Sequence, residues 1–272
     1  MTESTLTESA RQVLATSDAV AKAGAARRLA ADWRSGALTA LGARGAPDRP
    51  GRPGRPTLLH PTKVPRRRIN SAPAGRVALL HALAHIELNA VDLAVDLVAR
   101  FAEPALPSAF FDDWLQVADE EGKHFLLLAD RLTELGAAYG DLPAHDGLWQ
   151  AAEETAHDLL ARLAVVPQVL EARGLDVTPG MIDKLERAGD TASAAILRVI
   201  YEEEIGHVAI GRRWYLWLCA QRGLEPQATW QDLVRRHFRG ALKPPFNEAA
   251  RRSAGLTPET YLPLATQGTT TE

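Results

Sequence analysis

Apolar positions recur every three or four residues through most of this chain, and proline-rich stretches break that rhythm at a few places. The period is that of amphipathic or buried α-helices. Residues from Ser9 to Trp33 read as one or two amphipathic helices, with Ser17-Asp18 as a break or N-cap. Val77 to about Ala102 reads as a first core helix whose stripe is Leu80, Ala84, Glu87, Val91, Ala94 and Val98. A second helix is expected from Ser108 to Leu135, with Trp114, Val117, Glu121, His124, Leu128 and Leu135 on one face. A third should end near Arg173, with Gly174 as its C′ residue, and carries Leu160, Ala164, Gln168 and Glu171. Pro167 should kink or bulge it. Thr178-Pro179 then opens a short helix to Arg187, and Gly189-Asp190 interrupts it. The fourth core helix, Thr191 to Gln221, lines up Leu197, Tyr201, Glu204, His207, Gly211 and Trp214.

Carboxylates and imidazoles interrupt these stripes in a repeating way. Glu120-Glu121-Gly122-Lys123-His124 and Glu203-Glu204-Ile205-Gly206-His207 each place a Glu three residues before a His. On a helix the two share a face and can grip one ion. Glu87 precedes Glu121 by 34 positions, and Glu171 precedes Glu204 by 33. Glu followed by Glu-x-x-His thus occurs twice at nearly equal spacing. One Glu from each of two helices and Glu-x-x-His from each of two others form the ligand set of di-iron and di-manganese carboxylate bundles.

Taken singly, each of these Glu residues is an ordinary solvated carboxylate and each His a satisfied imidazole. Set jointly in apolar stripes, Glu87, Glu121, His124, Glu171, Glu204 and His207 point to a dinuclear metal site. A carboxylate on a buried stripe is costly unless paired or metal-bound. Glu87 with His124 would hold one metal and Glu171 with His207 the other, with Glu121 and Glu204 bridging. Glu120 and Glu203 could accept from the second imidazole nitrogens. Gly122 and Gly206 suggest a close helix approach or a bulge at the metal. His85 lies about 160° around the helix from Glu87 and cannot reach the same ion, so His81 and His85 read as packing or polar contacts. His157 reads as structural. Tyr201 is a candidate for lining an active cavity, against a plain core tyrosine, which is the preferred reading.

Between Arg44 and Arg68 six prolines forbid helix and central strand. Eight basic residues there face one acid, Asp48, a local excess of +7 in a chain of net charge −3. Such an arm binds phosphates or an acidic partner, or else lies as a strap across its own bundle, which is the favoured reading. The resulting organisation is residues 1–43 as N-terminal amphipathic helices, 44–70 as a basic Pro-rich strap, 71–222 as a four-helix metal-binding bundle and 223–272 as a C-terminal helical extension. Asn70-Ser71 is the expected cap of the first core helix. Residues 137 to 148 reach about 40 Å fully stretched, barely a long crossover, so the third helix should begin late. Beyond Gly223 a helix, a proline-stopped loop and a second short helix are expected, with the last ten residues mobile.

The single cysteine, Cys219, excludes a disulfide framework and a cysteine zinc cluster. The polar Met1–Ser17 stretch is not a secretory signal, and no run of 18 apolar residues suggests a membrane span. A cytoplasmic protein is expected.

At these residues the sequence resembles the ferritin-like superfamily. More narrowly it is similar to the bacterial domain-of-unknown-function family 455, a relative of the tRNA-hydroxylase branch. The likeness is carried by His81-Ala-Leu-Ala-His-Ile-Glu87-Leu, Asp119-Glu-Glu-Gly-Lys-His124-Phe, Val169-Leu-Glu171-Ala-Arg-Gly-Leu-Asp176, Glu203-Glu-Ile-Gly-His-Val-Ala-Ile-Gly211 and Leu242-Lys-Pro-Pro-Phe-Asn247. It covers about residues 60 to 262. It implies an all-α, ferritin-like four-helix bundle with a dinuclear centre of two Fe ions (Mn or mixed Fe/Mn also fit), the metal ligands matching position by position. The chemistry then expected is O2 activation by an oxidoreductase or hydroxylase acting on an organic substrate, served by an electron-donor protein. Small residues (Ala84, Gly122, Gly206, Gly211) would leave room for the co-substrate. An RNA substrate would use the basic arm and the Arg235–Arg239 cluster. The alternatives are a ferroxidase or peroxide-detoxifying protein and a non-catalytic helical module. The terminal extensions argue for a monomer or dimer over a storage cage.

Overall fold

The computed structural model describes residues 4–65 and 73–266, and among these every regular element is helical. Arg66–Arg68, the Asn70-Ser71 cap, Met1–Glu3 and residues 267–272 lie outside the described residues. No helix among the described residues is long and apolar enough to cross a membrane. Contacts divide the chain into two units, Met1–Gln150 with Lys184–Ile196, and Ala151–Asp183 with Leu197–Glu272.

In the first unit, α1 (Leu6–Ala15) and α2 (Ala19–Arg34) are the expected N-terminal pair. Thr5 accepts from Glu8 N and Asp18 from Ala21 N, so each helix starts on an oxygen that satisfies an orphan amide. Helix α3 (Pro73–Arg100) begins a turn before the sequence pattern suggested and is buried on nearly every side from Leu79 to Ala99. Helix α4 (Ser108–Glu134) follows closely the predicted range. Gly122 lets α2 approach: a Cβ there would lie 2.9 Å from Ala23 O and Arg27 Cγ. That glycine therefore serves helix packing against α2, not space for a co-substrate.

Because α3 is buried all round, its charges need internal partners. Asp92 receives Lys22 Nζ at 2.6 Å and Arg52 at 3.0 Å, while Asp96 takes Arg100 at 2.8 Å. Lys22 and Asp92 are both fully buried. Burial lowers the Lys22 pKa and raises that of Asp92, in each case against the attraction of the partner charge. Arg52 belongs to the proline-rich segment, whose described residues, 44–65, form no regular element apart from a 3-10 turn at Pro61–Lys63. Its backbone is tied down by Gly45 N to Ala99 O at 2.8 Å and Gly51 N to Leu14 O at 2.7 Å. Arg44 pairs with Glu103 and Arg49 with Asp146.

His81 and His85 secure the loop after α4, as their place off the Glu87 face suggested. His85 bonds Tyr139 Oη at 2.9 Å and His145 O at 3.0 Å, and His81 Nε2 accepts from Gly140 N at 2.9 Å. Burial, reinforced by Arg52, lowers the His85 pKa to about 4, so the ring is neutral at physiological pH.

In the second unit the third core helix differs from expectation. After α5 (Gly147–Glu154), α6 (Leu159–Val165) passes into a π-helical turn, Val166–Glu171, and on into α7 (Ala172–Arg187). Gly174 is thus helical rather than a C′ residue, and Thr178-Pro179 caps nothing, because Pro179 lies inside α7. Each proline frees the carbonyl four residues back, and a side-chain amide takes each one. Gln168 Nε2 donates to Leu163 O at 2.9 Å, and Asn247 Nδ2 donates to Leu175 O at 3.2 Å. The bulge expected at Pro167 is the π-turn itself, where Ala172 N reaches back five residues to Pro167 O.

Helix α8 (Thr191–Arg222) matches its expected range. Gly211 is required by Pro167, since a Cβ there would lie 2.3 Å from the proline Cβ. Gly206 is exposed with nothing within 4 Å. The space at Gly211 is thus taken by Pro167 and is not left for a co-substrate. The C-terminal part comprises α9 (Pro226–His237), a loop holding Pro244-Pro245, α10 (Glu248–Ser253) and α11 (Pro258–Tyr261). Arg251 grips Asp176 through Nε and Nη2 at 2.8 and 2.7 Å. Near the C-terminus, where mobility was expected, Ala265 forms an isolated bridge with Leu242. His157 packs against His237 with ring centroids 5.2 Å apart and the rings tilted by 49°.

Two stability measurements test this account. Gly174→Ala should stabilise by up to about 1 kcal/mol, as Ala replaces Gly inside a helix, whereas Gly211→Ala should destabilise by about 1–3 kcal/mol through overpacking. Denaturant titration reads both, and a destabilised Gly174→Ala would mean that α7 is broken there. Lys22→Met should cost about 3 kcal/mol by leaving the buried Asp92 with Arg52 alone. Arg44→Ala, which removes an ion pair whose side chains are 64% and 53% exposed, should cost under about 1 kcal/mol.

Candidate metal centre

Glu87 comes from the middle of α3, and Glu121 and His124 come from one face of α4. His124 Nδ1 lies 3.2 Å from Glu87 Oε2 and 3.4 Å from Glu121 Oε2. One ligand atom from each of the three falls within 4.8 Å of the others. All three residues are buried, at 3%, 0% and 0% exposure. Two carboxylates facing one imidazole away from water form a donor set of hard oxygens and one nitrogen, which suits Fe(II), Mn(II) or Zn(II). The imidazole presents Nδ1 to both carboxylates, so Nδ1 is the nitrogen available to an ion.

Electrostatics records the strain of this grouping in the metal-free chain. Burial and the neighbouring Glu121 carboxylate push Glu87 well above the usual carboxylate range, against the hydrogen bond from His124. Burial works against a charged His124, but the hydrogen bonds to Glu121 and Glu87 outweigh it and raise that imidazole to about 10. A divalent cation would take over the role of the imidazolium proton between the two carboxylates. The residues therefore fit a metal ion.

The second unit carries its own counterpart. Glu204 and His207 lie one turn apart on α8 with His207 Nδ1 3.8 Å from Glu204 Oε1, and His207 is fully buried. Glu171 ends the π-turn, half-buried. Such turns interrupt helices disproportionately at functional sites. Glu120 accepts from Gln116 at 3.1 Å, and Glu203 is half-buried. The Tyr201 hydroxyl receives the Asn247 amide at 2.9 Å, and its ring packs near Ala172, Leu175 and Leu256. Those contacts are what a core tyrosine makes.

Sequence reading passed over several polar groups. Asp92 and Asp96 stand four apart in an otherwise apolar run, a signal that was there to use; Lys22 and Arg52, 70 and 40 positions away in the chain from Asp92, gave none. The pairing of Asn247 with Leu175 O could have been sought from Pro179, which announces a missing backbone donor.

An all-helical protein with a buried carboxylate–imidazole cluster able to hold a metal ion is the class that these elements and this site define. The chain belongs to the family described as "Protein of unknown function (DUF455)", which it matches over residues 15–262. The match extends well before residue 60, where the sequence resemblance was expected to begin, and so takes in α2 and the proline-rich segment. A relative from Haemophilus influenzae, described as "Uncharacterized protein", is 44% identical over 205 residues, covering 74% of this chain and 71% of the relative. No solved structure matches.

Metal should bind where the geometry is. Adding Mn(II), or Fe(II) without air, to chelator-treated protein should raise its melting temperature, by the equivalent of about 2.7 kcal/mol at 100 times Kd. Glu121→Gln should remove most of that gain and Glu120→Gln should leave it nearly intact. An equal loss in both variants would contradict the assignment of Glu121 as a ligand.

Proposed function

We propose that this is a dinuclear metal carboxylate protein of ferritin-like architecture, with α3, α4, the α6–π–α7 run and α8 supplying the ligands. The observation that carries the reading is the Glu87–Glu121–His124 cluster, three buried donors converging around Nδ1 of one imidazole. Glu171, Glu204 and His207 would supply the remaining ligands, because the Glu, Glu-x-x-His pattern repeats in both halves of the chain. Glu120 and Glu203 serve as acceptors for the outward imidazole nitrogens.

The ions in this reading are two Fe, with Mn or a mixed pair as variants of the same donor set. When bound, such a pair supplies redox and Lewis-acid chemistry for dioxygen. The contribution of the chain's own residues would be to exclude water, orient the imidazoles and hold the carboxylates together away from solvent. The function that follows is an O2-dependent oxidoreductase or hydroxylase of an organic substrate, cytoplasmic, monomeric or dimeric, and reduced by a donor protein. Arg44, Arg49, Arg52, Arg236 and Arg239 face carboxylates of their own units, which gives an RNA substrate no support.

Metal stoichiometry and oxygen uptake test it together. Protein loaded anaerobically with Fe(II) should retain two ions per chain and consume O2 on exposure to air. Glu204→Gln and His207→Ala should each lower the metal count. Fewer than one ion per chain would reject the dinuclear centre. Two ions with rapid Fe(II) oxidation but no reductant-driven turnover would move the protein to iron handling.

A further inference from the structure

Arg52, Arg76, Arg100, Arg131 and Arg251, with side chains under a fifth exposed, each face an aspartate, and the fully buried Arg162 is held by Thr155 Oγ1 and Ala152 O. Arg212, partly buried on α8, is different. Its Nη1 donates to the Gln168 amide oxygen at 3.2 Å, and among the described residues no carboxylate comes within ion-pair distance. Its Nε is enclosed and has no hydrogen-bond partner among the described residues. Burial acts against its charge, and the titratable groups around it are Tyr215, Cys219 and Glu225, the first two held neutral by their own burial. Of these Glu225 is engaged elsewhere, accepting from Gln227 N and Ala228 N at the start of α9.

The surroundings are built. Gln168 is 1% exposed, and its amide nitrogen is tied to Leu163 O, the carbonyl freed by Pro167. That bond fixes the amide so that its oxygen faces Nη1 of Arg212. The guanidinium lies 5.6 Å from the Tyr215 ring centroid, and Arg212 Cγ stands 3.3 Å from where a Cβ on Gly255 would be. With Nη1 on Gln168 and Nε enclosed, Nη2 is the end of the guanidinium left for a ligand, able to give a charge-assisted hydrogen bond to a carboxylate or phosphate oxygen.

The geometry points to Arg212, oriented by Gln168, as a binding site for an oxyanion: the carboxylate or phosphate group of a small molecule. A guanidinium taken partly out of water without a counter-ion is costly, and a ligand anion offsets that cost. Gln168 is the positioning residue, because its neutral oxygen holds the guanidinium without neutralising it. The site needs no metal and is tested on chelated protein.

The test is an NMR titration of the Arg Nε–H signals with sodium acetate and, separately, sodium phosphate, with sodium chloride keeping ionic strength constant. The Arg212 signal is the one absent from Arg212→Lys. It should shift saturably with acetate, phosphate or both, and not with chloride; the anion that saturates at lower concentration identifies a carboxylate or a phosphate ligand. Arg212→Gln should weaken binding at least tenfold. Gln168→Glu, which supplies a carboxylate from within, should do the same with Arg212 intact, so the outcome does not hang on one variant folding. A signal that moves with neither anion, or unchanged binding in Arg212→Gln, overturns the site. Neither result bears on the Glu87–Glu121–His124 cluster.

Discussion

Removing ionised groups from water costs several kcal/mol per ion, and helix α3 does it repeatedly. Glu87, Asp92 and Asp96 stand on a helix buried on nearly every side, so each must find charge nearby. Asp92 is met by Lys22 from α2 and Arg52 from the proline-rich segment, and Asp96 by Arg100 one turn on. Glu87 has the His124 imidazole. The N-terminal helices and the strap are therefore bound to α3 by electrostatic necessity as well as by apolar packing. Without them Asp92 would lie uncompensated five residues from Glu87 on the same helix.

A similar rule operates on the backbone of the second unit. Pro167 and Pro179 each delete a helical hydrogen bond, and a side-chain amide restores an equivalent one, from Gln168 and Asn247 respectively. These repairs are tied to functional geometry. The first lies in the π-turn that ends at Glu171 and also steadies Arg212; the second brings the Lys243–Asn247 loop against Tyr201, one turn before Glu204. Gly211 completes the first arrangement, because only a residue without Cβ fits beside Pro167.

Belonging to a family of unknown function puts the weight of functional inference on side-chain chemistry. Glu87, Glu121 and His124 are convincing because burial raises the cost of placing two carboxylates together, and a chain keeps such a grouping where something cationic relieves it. Arg212 is the converse case, a cation held beside a neutral amide.

Periodicity determined the helices, and embedded polar residues determined the candidate ligands, because both signals are local: a 3.6-residue repeat and a Glu-x-x-His on one face need no knowledge of distant chain. The same locality explains the errors. Gly174 and Thr178-Pro179 look like a helix end followed by a helix start, and only Asn247, 68 residues beyond Pro179, makes a continuous α7 affordable. Gly122 sits inside a metal-site motif yet serves contact with Ala23. Which acid each buried base would meet, and that Arg212 would meet none among the described residues, was decided by tertiary packing alone. Charge compensation acts through space, and the distances that govern it are set by packing rather than by sequence separation.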